Sequence, residues 1–159
     1  MTDMVVKLYD NPLKSDPKVS GEHGISIRRG MALDKQVICD FVDQHFRDVS
    51  PGWVDECAAA LLRQPSSCMI AVHEQKVVGF CCYDATAKGM IGPLGVDSSY
   101  RGKGIATELL YECIQAMKAD GYAYAVIGWV SSEDFYARAC GAVSIPDSHP
   151  GVYSRKVVI

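Results

Sequence analysis

Between residues 92 and 110 the chain reads GPLGVDSSYRGKGIATELL, and this stretch leaves little freedom of architecture. Its first part is a short apolar run interrupted by Gly92, Pro93 and Gly95. From Ile105 onward, apolar residues recur at helical spacing. Arg101 to Ala106 must therefore join a strand to a helix. The first N–H groups of a helix have no partner within it, and the helix dipole makes that end attractive to anions. Gly102 and Gly104 permit left-handed backbone angles and let a ligand approach with no Cβ in the way. Ala106 keeps the first turn open, while Arg101 and Lys103 add positive charge. A polyphosphate is the ligand such a turn suits.

Two familiar phosphate-binding patterns are excluded by spacing. A Walker loop needs GxxxxGK followed by Ser or Thr, which the chain lacks. A dinucleotide fingerprint needs GxGxxG, and Thr107 stands where the third glycine belongs. The net charge of −3 argues against general nucleic-acid binding, so an anionic ligand must be held locally. No apolar run approaches the ~18 residues of a membrane span. The N-terminus MTDMVVKLYD lacks the features of an export signal, so a cytoplasmic protein is expected. Seven cysteines show neither a CxxC pair nor a His/Cys spacing suited to zinc. They read as buried reduced thiols, and no metal is expected.

The rest of the chain supplies alternating strands and helices. Residues 1–24 read as an N-terminal arm or short strand followed by a breaker-rich loop, and 25–159 as one domain. GISIRRG alternates as a strand. Asp34 is placed to cap a helix presenting Val37, Ile38, Phe41, Val42, His45 and Phe46. Ser50 and Pro51 read as N-cap and N1 of a second helix, with Val54, Cys57, Ala58, Leu61 and Leu62 on one face, closed by Pro65. SCMIAVHEQKVVGFCCYDA reads as a hairpin turning at Glu74 and Gln75. A helix ending at Gly121 follows the glycine-rich turn. YAYAVIGWV is apolar enough to be buried on both faces. Ser131 or Ser132 caps a short helix, EDFYARAC, stopped by Gly141. Two last strands are expected near Ala142–Ile145 and Val152–Val158.

The run Arg101-Gly102-Lys103-Gly104-Ile105-Ala106 resembles the pyrophosphate loop of the GNAT-type N-acetyltransferase superfamily, Q/R-x-x-G-x-G/A. The resemblance extends by element order over about residues 25–159 and is sharpest at 90–110 and 122–142. It implies an α/β fold with a mixed, mostly antiparallel sheet, helices on both faces and a splayed central strand pair. It also implies acetyl-CoA or another acyl-CoA as acyl donor. The loop amides would hold the pyrophosphate, and the preceding strand, through Leu94, Gly95 and Val96, would pair its backbone with pantetheine. Pro93, with no donor N–H and a glycine nearby on each side, favours such a splay.

SSEDFYARACGA resembles the family's second signature, an F-Y pair on a short helix ending in Gly. By that match Tyr136 is the general acid facing the CoA sulfur, and Phe135 belongs to the core. Arg138 stands either near a CoA phosphate or in solvent. The family often has Asn where Ser131 and Ser132 stand, and Gly-Phe where Gly141-Ala142 stands. The oxyanion donor is expected to be a backbone N–H near Leu94. The general base is open between Asp84, His73, Glu133, His149 and a water chain. The expected activity is transfer of acetyl to an amine by direct attack in a ternary complex. The alternative is an acyl-CoA-binding sensor of the same fold without turnover. The acceptor is an amine on a small molecule or a peptide, and a homodimer is compatible with the sequence.

Overall fold

A computed structural model describes residues 1–10 and 23–159. The loop expected over residues 11–24 lies, up to residue 22, outside the described residues. Seven strands form one sheet: β1 (Thr2–Lys7), β2 (Ile25–Arg29), β3 (Cys68–His73), β4 (Lys76–Tyr83), β5 (Met90–Val96), β6 (Tyr124–Val130) and β7 (Val143–Ser144). Among the described residues four α-helices accompany them: α1 (Lys35–Phe46), α2 (Trp53–Leu61), α3 (Ile105–Ala119) and α4 (Glu133–Cys140). The sheet order is β2-β3-β4-β5-β6-β1-β7. Only β5 and β6 run parallel; every other neighbouring pair is antiparallel. This is the mixed, mostly antiparallel sheet that the resemblance implied.

Two cores sandwich the sheet. On one face Ile38, Phe41 and Phe46 of α1 and Cys57 and Leu61 of α2 pack against Ile70, Phe80 and Cys82. On the other, Ile105, Leu109, Ile114 and Met117 of α3 pack against Met69, Val78, Cys81 and Ile127. From Phe80 to Tyr83 residues alternate between the two cores, as the two-residue period of a strand demands, while the register shift opposite Ala71 and Val72 takes Val78 out of that phase. The β3–β4 turn puts Glu74 and Gln75 at φ +48° and +64°. Positive φ at both central residues is what a two-residue hairpin of matching twist requires.

Helix stops were more legible than helix starts. Gly121 (φ +93°) and Gly141 (φ +67°) follow α3 and α4 as expected. Asp34, by contrast, makes no side-chain cap on α1. Its carboxylate accepts from the Met31 N–H at 3.1 Å and from Arg28 at 2.9 Å, holding a 3-10 turn ahead of α1. Helix α2 starts at Trp53 behind Gly52, later than Ser50-Pro51 suggested, because Ser50 and Trp53 close a turn through their backbones. Ser132 precedes α4 but makes no side-chain cap. Val37, His45 and Leu62 also lie exposed rather than on the buried helix faces.

Two strand expectations are corrected. Strand β6 is not buried on both faces, since Tyr124 and Trp129 are exposed while Ala125, Ile127 and Val130 are buried. Residues 151–155 form a 3-10 turn rather than a strand, and Val157 and Val158 are exposed. The place beside β6 is taken by β1, whose Val5 and Val6 lie opposite Val126 and Ala125. Met4, Val6 and Leu8 are thereby almost wholly buried.

Residues 2–8 should therefore behave as core. Leu8→Ala is expected to lower stability by about 2–5 kcal/mol, as for other buried leucines. Urea denaturation monitored by circular dichroism checks this, and a midpoint equal to wild type would contradict the placement.

Candidate functional site

Strands β5 and β6 share only two register pairs, Met90↔Val126 and Ile91↔Ile127. Beyond them β5 stays paired to β4 through Leu94, Gly95 and Val96, opposite Cys81, Phe80 and Gly79. Among the described residues, no strand pairs with its other edge, facing β6, from Gly92 to Val96. Part of the cause lies in β5, where Gly92 sits at φ +126°, a backbone that side-chain-bearing residues rarely adopt. The rest lies in β6. Between the pairs Met4↔Ile127 and Thr2↔Val130, one residue of β1 faces two of β6, which is a β-bulge. Trp129 in that bulge has φ +50°, and its N–H donates to Asp3 Oδ1 at 3.0 Å. A bulge bends the strand that carries it, so β6 turns away just where its pairing with β5 ends.

The glycine-rich turn stands at the end of the open edge. Asp97 accepts from the Ser99 N–H at 2.9 Å and from the Ser99 hydroxyl at 2.8 Å, fixing the 3-10 turn Ser98–Tyr100. Those two bonds from Ser99, with Arg101 and His45 nearby, hold the Asp97 carboxyl below its usual range despite partial burial, which acts the other way and is the largest single influence. Arg101, Gly102, Lys103 and Gly104 are all exposed. Gly102 (φ +77°) and Gly104 (φ +79°) adopt left-handed angles, and α3 begins at Ile105. A Cβ built at Gly102 meets no protein atom within 4 Å, so the space over it is open. Ile105 itself is buried in the core, so what it offers the loop is its backbone N–H. Lys103 Nζ lies 5.5 Å from the centroid of the Tyr100 ring.

Gly95 has a separate explanation. A Cβ there would meet Phe46 at 2.7 Å and Phe80 at 2.8 Å. Aromatic packing on the α1 face therefore accounts for this glycine. Leu94 and Val96 point the other way, into the core beneath α3.

Tyr136 packs against that same core, half-buried on α4. Burial, and then the Cys81 and Cys140 thiols, push its phenol well above the ordinary tyrosine range. It is therefore protonated at neutral pH. Its hydroxyl makes no hydrogen bond among the described residues, and Cys81 is the register partner of Leu94 on β5. A proton donor thus stands at the level where the strand edge is open. Phe135 packs beside it, ring centroids 4.9 Å apart, as part of the core. Arg138 is exposed and donates to the Asp134 carbonyl.

The four side chains considered as bases are engaged elsewhere. His73 shares a 2.8 Å hydrogen bond with the Tyr100 hydroxyl and so props the glycine-rich turn. Asp84 accepts from the Gly89 N–H at 2.7 Å and the Tyr122 hydroxyl at 2.8 Å, with Arg63 at 3.6 Å. Glu133 accepts from Ser144, and His149 Nδ1 donates to the Met1 carbonyl at 2.9 Å. Asp84 also borders a cleft of about 760 Å³ with Arg63, Lys88 and Tyr122, at the end of β5 opposite the glycine-rich turn.

A carboxylate that sequence reasoning missed is Glu56 of α2, half-buried beside the β4–β5 turn. It accepts from the Thr86 hydroxyl. Burial raises its carboxyl, opposed by the Thr86 hydrogen bond and Lys156. Tyr153 lies beside it and is itself raised, first by burial and then by the Glu56 charge. The Tyr153 hydroxyl would be 3.2 Å from a Cβ at Gly128, the first β6 residue past the β5 pairing. The Trp129 ring packs at a tilt of 35° against Tyr153, with ring centroids 4.7 Å apart. An acid in the first turn of a helix is an ordinary helix-start feature, so nothing local marked Glu56.

Seven strands opened between two parallel members, with a glycine-rich helix start at the opening, define a fold of the GCN5-related acetyltransferase class. The chain belongs to the Acetyltransferase (GNAT) family, whose model matches residues 35–142. No curated protein matches the sequence. Among solved structures it is similar to a GCN5-related glucosamine N-acetyltransferase region of a fungal multi-domain GH3 β-N-acetylglucosaminidase, with 16% identity over 91% of this chain and TM-score 0.71. A GCN5-related N-acetyltransferase from Sphaerobacter thermophilus gives 24% identity over 91% of this chain and TM-score 0.64. The chain spans 19% of the first of these proteins and 48% of the second. A GNAT family acetyltransferase from Brucella melitensis, solved with acetyl-CoA, gives 22% identity, TM-score 0.56, and coverage of 74% of this chain and 82% of that one. At these identities the likeness is one of fold.

Gly102→Ala tests the loop directly. The new Cβ meets no protein atom, so the fold should lose only the roughly 1–2 kcal/mol of a left-handed alanine. If the turn holds the CoA phosphates, affinity for CoA measured by calorimetry falls at least about tenfold, because the methyl fills the open space over Gly102. Unchanged affinity in a folded variant would place the phosphates elsewhere.

Proposed function

We propose that the protein is an acetyl-CoA-dependent N-acetyltransferase that passes the acetyl group to an amine by direct attack in a ternary complex. The observation that carries this reading is the parting of β5 from β6 after Ile91 and Ile127, with an exposed, glycine-rich helix start at its end. The residues present fit the donor: open space over Gly102, free N–H groups at the start of α3, cations at Arg101 and Lys103, and a strand edge able to pair with an extended amide-bearing arm. Acetyl-CoA, when bound, supplies the activated acyl group.

The chain's own groups then divide the proton work. The β5 backbone near Leu94 offers N–H donors to an oxygen that gains negative charge, at a fixed position and without side-chain reorganisation. Tyr136, on the α4 face and protonated, gives its hydroxyl hydrogen to the departing sulfur. Glu56, on the α2 face, receives a proton from the attacking amine, directly or through one water. Its raised carboxyl lies closer to neutrality than an ordinary glutamate and is a correspondingly better base. Trp129 and Tyr153 form the apolar wall against which the amine is placed. The acceptor is an amine of a small molecule or a peptide. The seven unbridged buried cysteines suit a reducing compartment such as the cytoplasm. Among the described residues no helix is long and apolar enough to cross a membrane.

Release of free CoA thiol, measured with acetyl-CoA across amines, amino acids, polyamines and peptides, tests the activity. Tight CoA binding with no turnover on any acceptor would instead favour a non-catalytic acyl-CoA sensor. With an acceptor in hand, Tyr136→Phe keeps the ring and loses the donor. We expect kcat to fall at least about tenfold, within the range typical of a lost general acid, and CoA affinity to hold. The reverse pattern would make Tyr136 a packing residue.

Glu56→Gln should lower kcat and remove the limb of the pH profile that rises through the Glu56 pKa, because only the ionised carboxylate accepts a proton. The same change affects stability in a calculable direction. Folding raises this carboxyl, so the folded state binds more protons than the unfolded state between the ordinary Glu value and the raised one. Stability contributed by this group therefore falls as pH rises through that window, and Gln escapes the loss. A variant that is less active yet at least as stable at pH 8 is the expected outcome, read from kinetics and thermal melts together.

A further inference from the structure

Strand β4 carries two adjacent cysteines, and a strand sends adjacent side chains to opposite faces. Cys81 goes to the α3 side, where the Cys113 thiol donates to its carbonyl. Cys82 goes to the α2 side and lies directly opposite Cys68 of β3 in the β3–β4 register. Cys57, on the buried face of α2, completes a triangle over this pair, its sulfur 3.8 Å from that of Cys68. All three sulfurs lie within 4.8 Å of one another, and all three residues are wholly buried. Positions 57, 68 and 82 match no linear metal motif, which is why spacing alone argued against a metal; the hairpin and the helix bring them together.

We propose that Cys57, Cys68 and Cys82 form a three-coordinate site for a soft, thiophilic metal ion. A metal–thiolate bond of about 2.3 Å puts three sulfurs of a planar trigonal site about 4.0 Å apart. The triangle already has nearly that size, so closing on an ion needs shifts below about 1 Å. Sulfur donors select soft ions over magnesium or calcium, and copper(I) and the zinc–cadmium group are the relevant class. Among the described residues no fourth His, Asp, Glu or Cys joins the group. The site is therefore three-coordinate rather than the closed tetrahedron of structural zinc.

The surroundings suit a cation as well. The Cys57 and Cys68 sulfurs are close enough to share a thiol hydrogen in which either can be the donor. The groups that act on these three thiols are other cysteines, with no basic side chain among them. A thiolate formed here is costly in an apolar core, and a bound cation removes that cost. A divalent ion taken up with loss of three protons to solvent leaves three thiolates around it, and the ion cuts the charge of the buried unit from −3 to −1.

Because the triad is wholly buried, the test loads it during folding. Reduced protein is unfolded, refolded with one equivalent of Cd²⁺, freed of unbound ion by gel filtration, and assayed for cadmium and for sulfur-to-cadmium charge-transfer absorption in the ultraviolet. Wild type is expected to retain a single ion per chain, show the band, and melt at a higher temperature than the cadmium-free protein. Cys113→Ala, altered on the opposite face, should do the same. Cys57→Ala and Cys82→Ala, checked for folding by circular dichroism, should lose the band and at least tenfold in affinity. Folded wild type with no retained cadmium and no band would overturn the proposal without recourse to any variant. Equal retention by folded Cys57→Ala would overturn it too.

Discussion

Two parallel strands that start paired and then separate need something to hold the second one off, and Asp3 does this. Its carboxylate is nearly buried and accepts the N–H of Trp129 in the β6 bulge. Hydrogen bonds to a charged partner contribute roughly 1.5–3 kcal/mol, enough to hold a tryptophan at a positive φ that otherwise costs about 1–3 kcal/mol. Space around this carboxylate is protected as well. A Cβ at Gly151 would lie 2.6 Å from Asp3 Oδ2, so the chain passes there as glycine at φ +61°. The Asp3 N–H is also satisfied, donating to the Ser148 hydroxyl at 2.8 Å. Residues from both ends of the chain thus converge on one bulge.

In the proposed reaction that bulge divides the chemistry between two faces of the sheet. On the α3–α4 side stands Tyr136, kept protonated by burial. On the α2 side stands Glu56, its carboxyl raised by burial and steadied by Thr86. A proton donor and a proton acceptor on opposite faces of one opening can serve a leaving group and an attacking group that meet in the middle. The proposed reaction needs little from the loop beyond a firm hold on the donor's phosphates. His73 and Tyr100 provide that firmness, joining the end of β3 to the turn that presents Arg101 to Gly104. A histidine that composition offers as a base is therefore a structural strut.

Much of this was legible locally. Gly102, Gly104, Gly121 and Gly141 each take the left-handed angle their position demanded, since only glycine reaches it cheaply. The hairpin turn at Glu74 and Gln75, the helical spacing of α3 and the short α4 followed from periodicity. Legibility failed where a side chain had a stronger partner than the expected one. Asp34 prefers Arg28 and the Met31 N–H to the helix it was assigned to cap. Asp84 is satisfied by Gly89 and Tyr122, and Glu133 by Ser144.

The sequence by itself determined the glycine-rich turn ahead of α3, because glycine conformation, helix-end N–H groups and adjacent charge are properties of a few consecutive residues. It also determined the Phe135–Tyr136 helix through a motif of similar reach. Only the tertiary structure decided which strand lies beside β6, where β1 prevails over residues 152–158. Only it decided that Glu56 meets Thr86 and Tyr153, and that three cysteines from α2, β3 and β4 share one pocket. Those choices join residues tens of positions apart in the chain. They depend on which competing surfaces bury best against one another, and no short window of sequence carries that comparison.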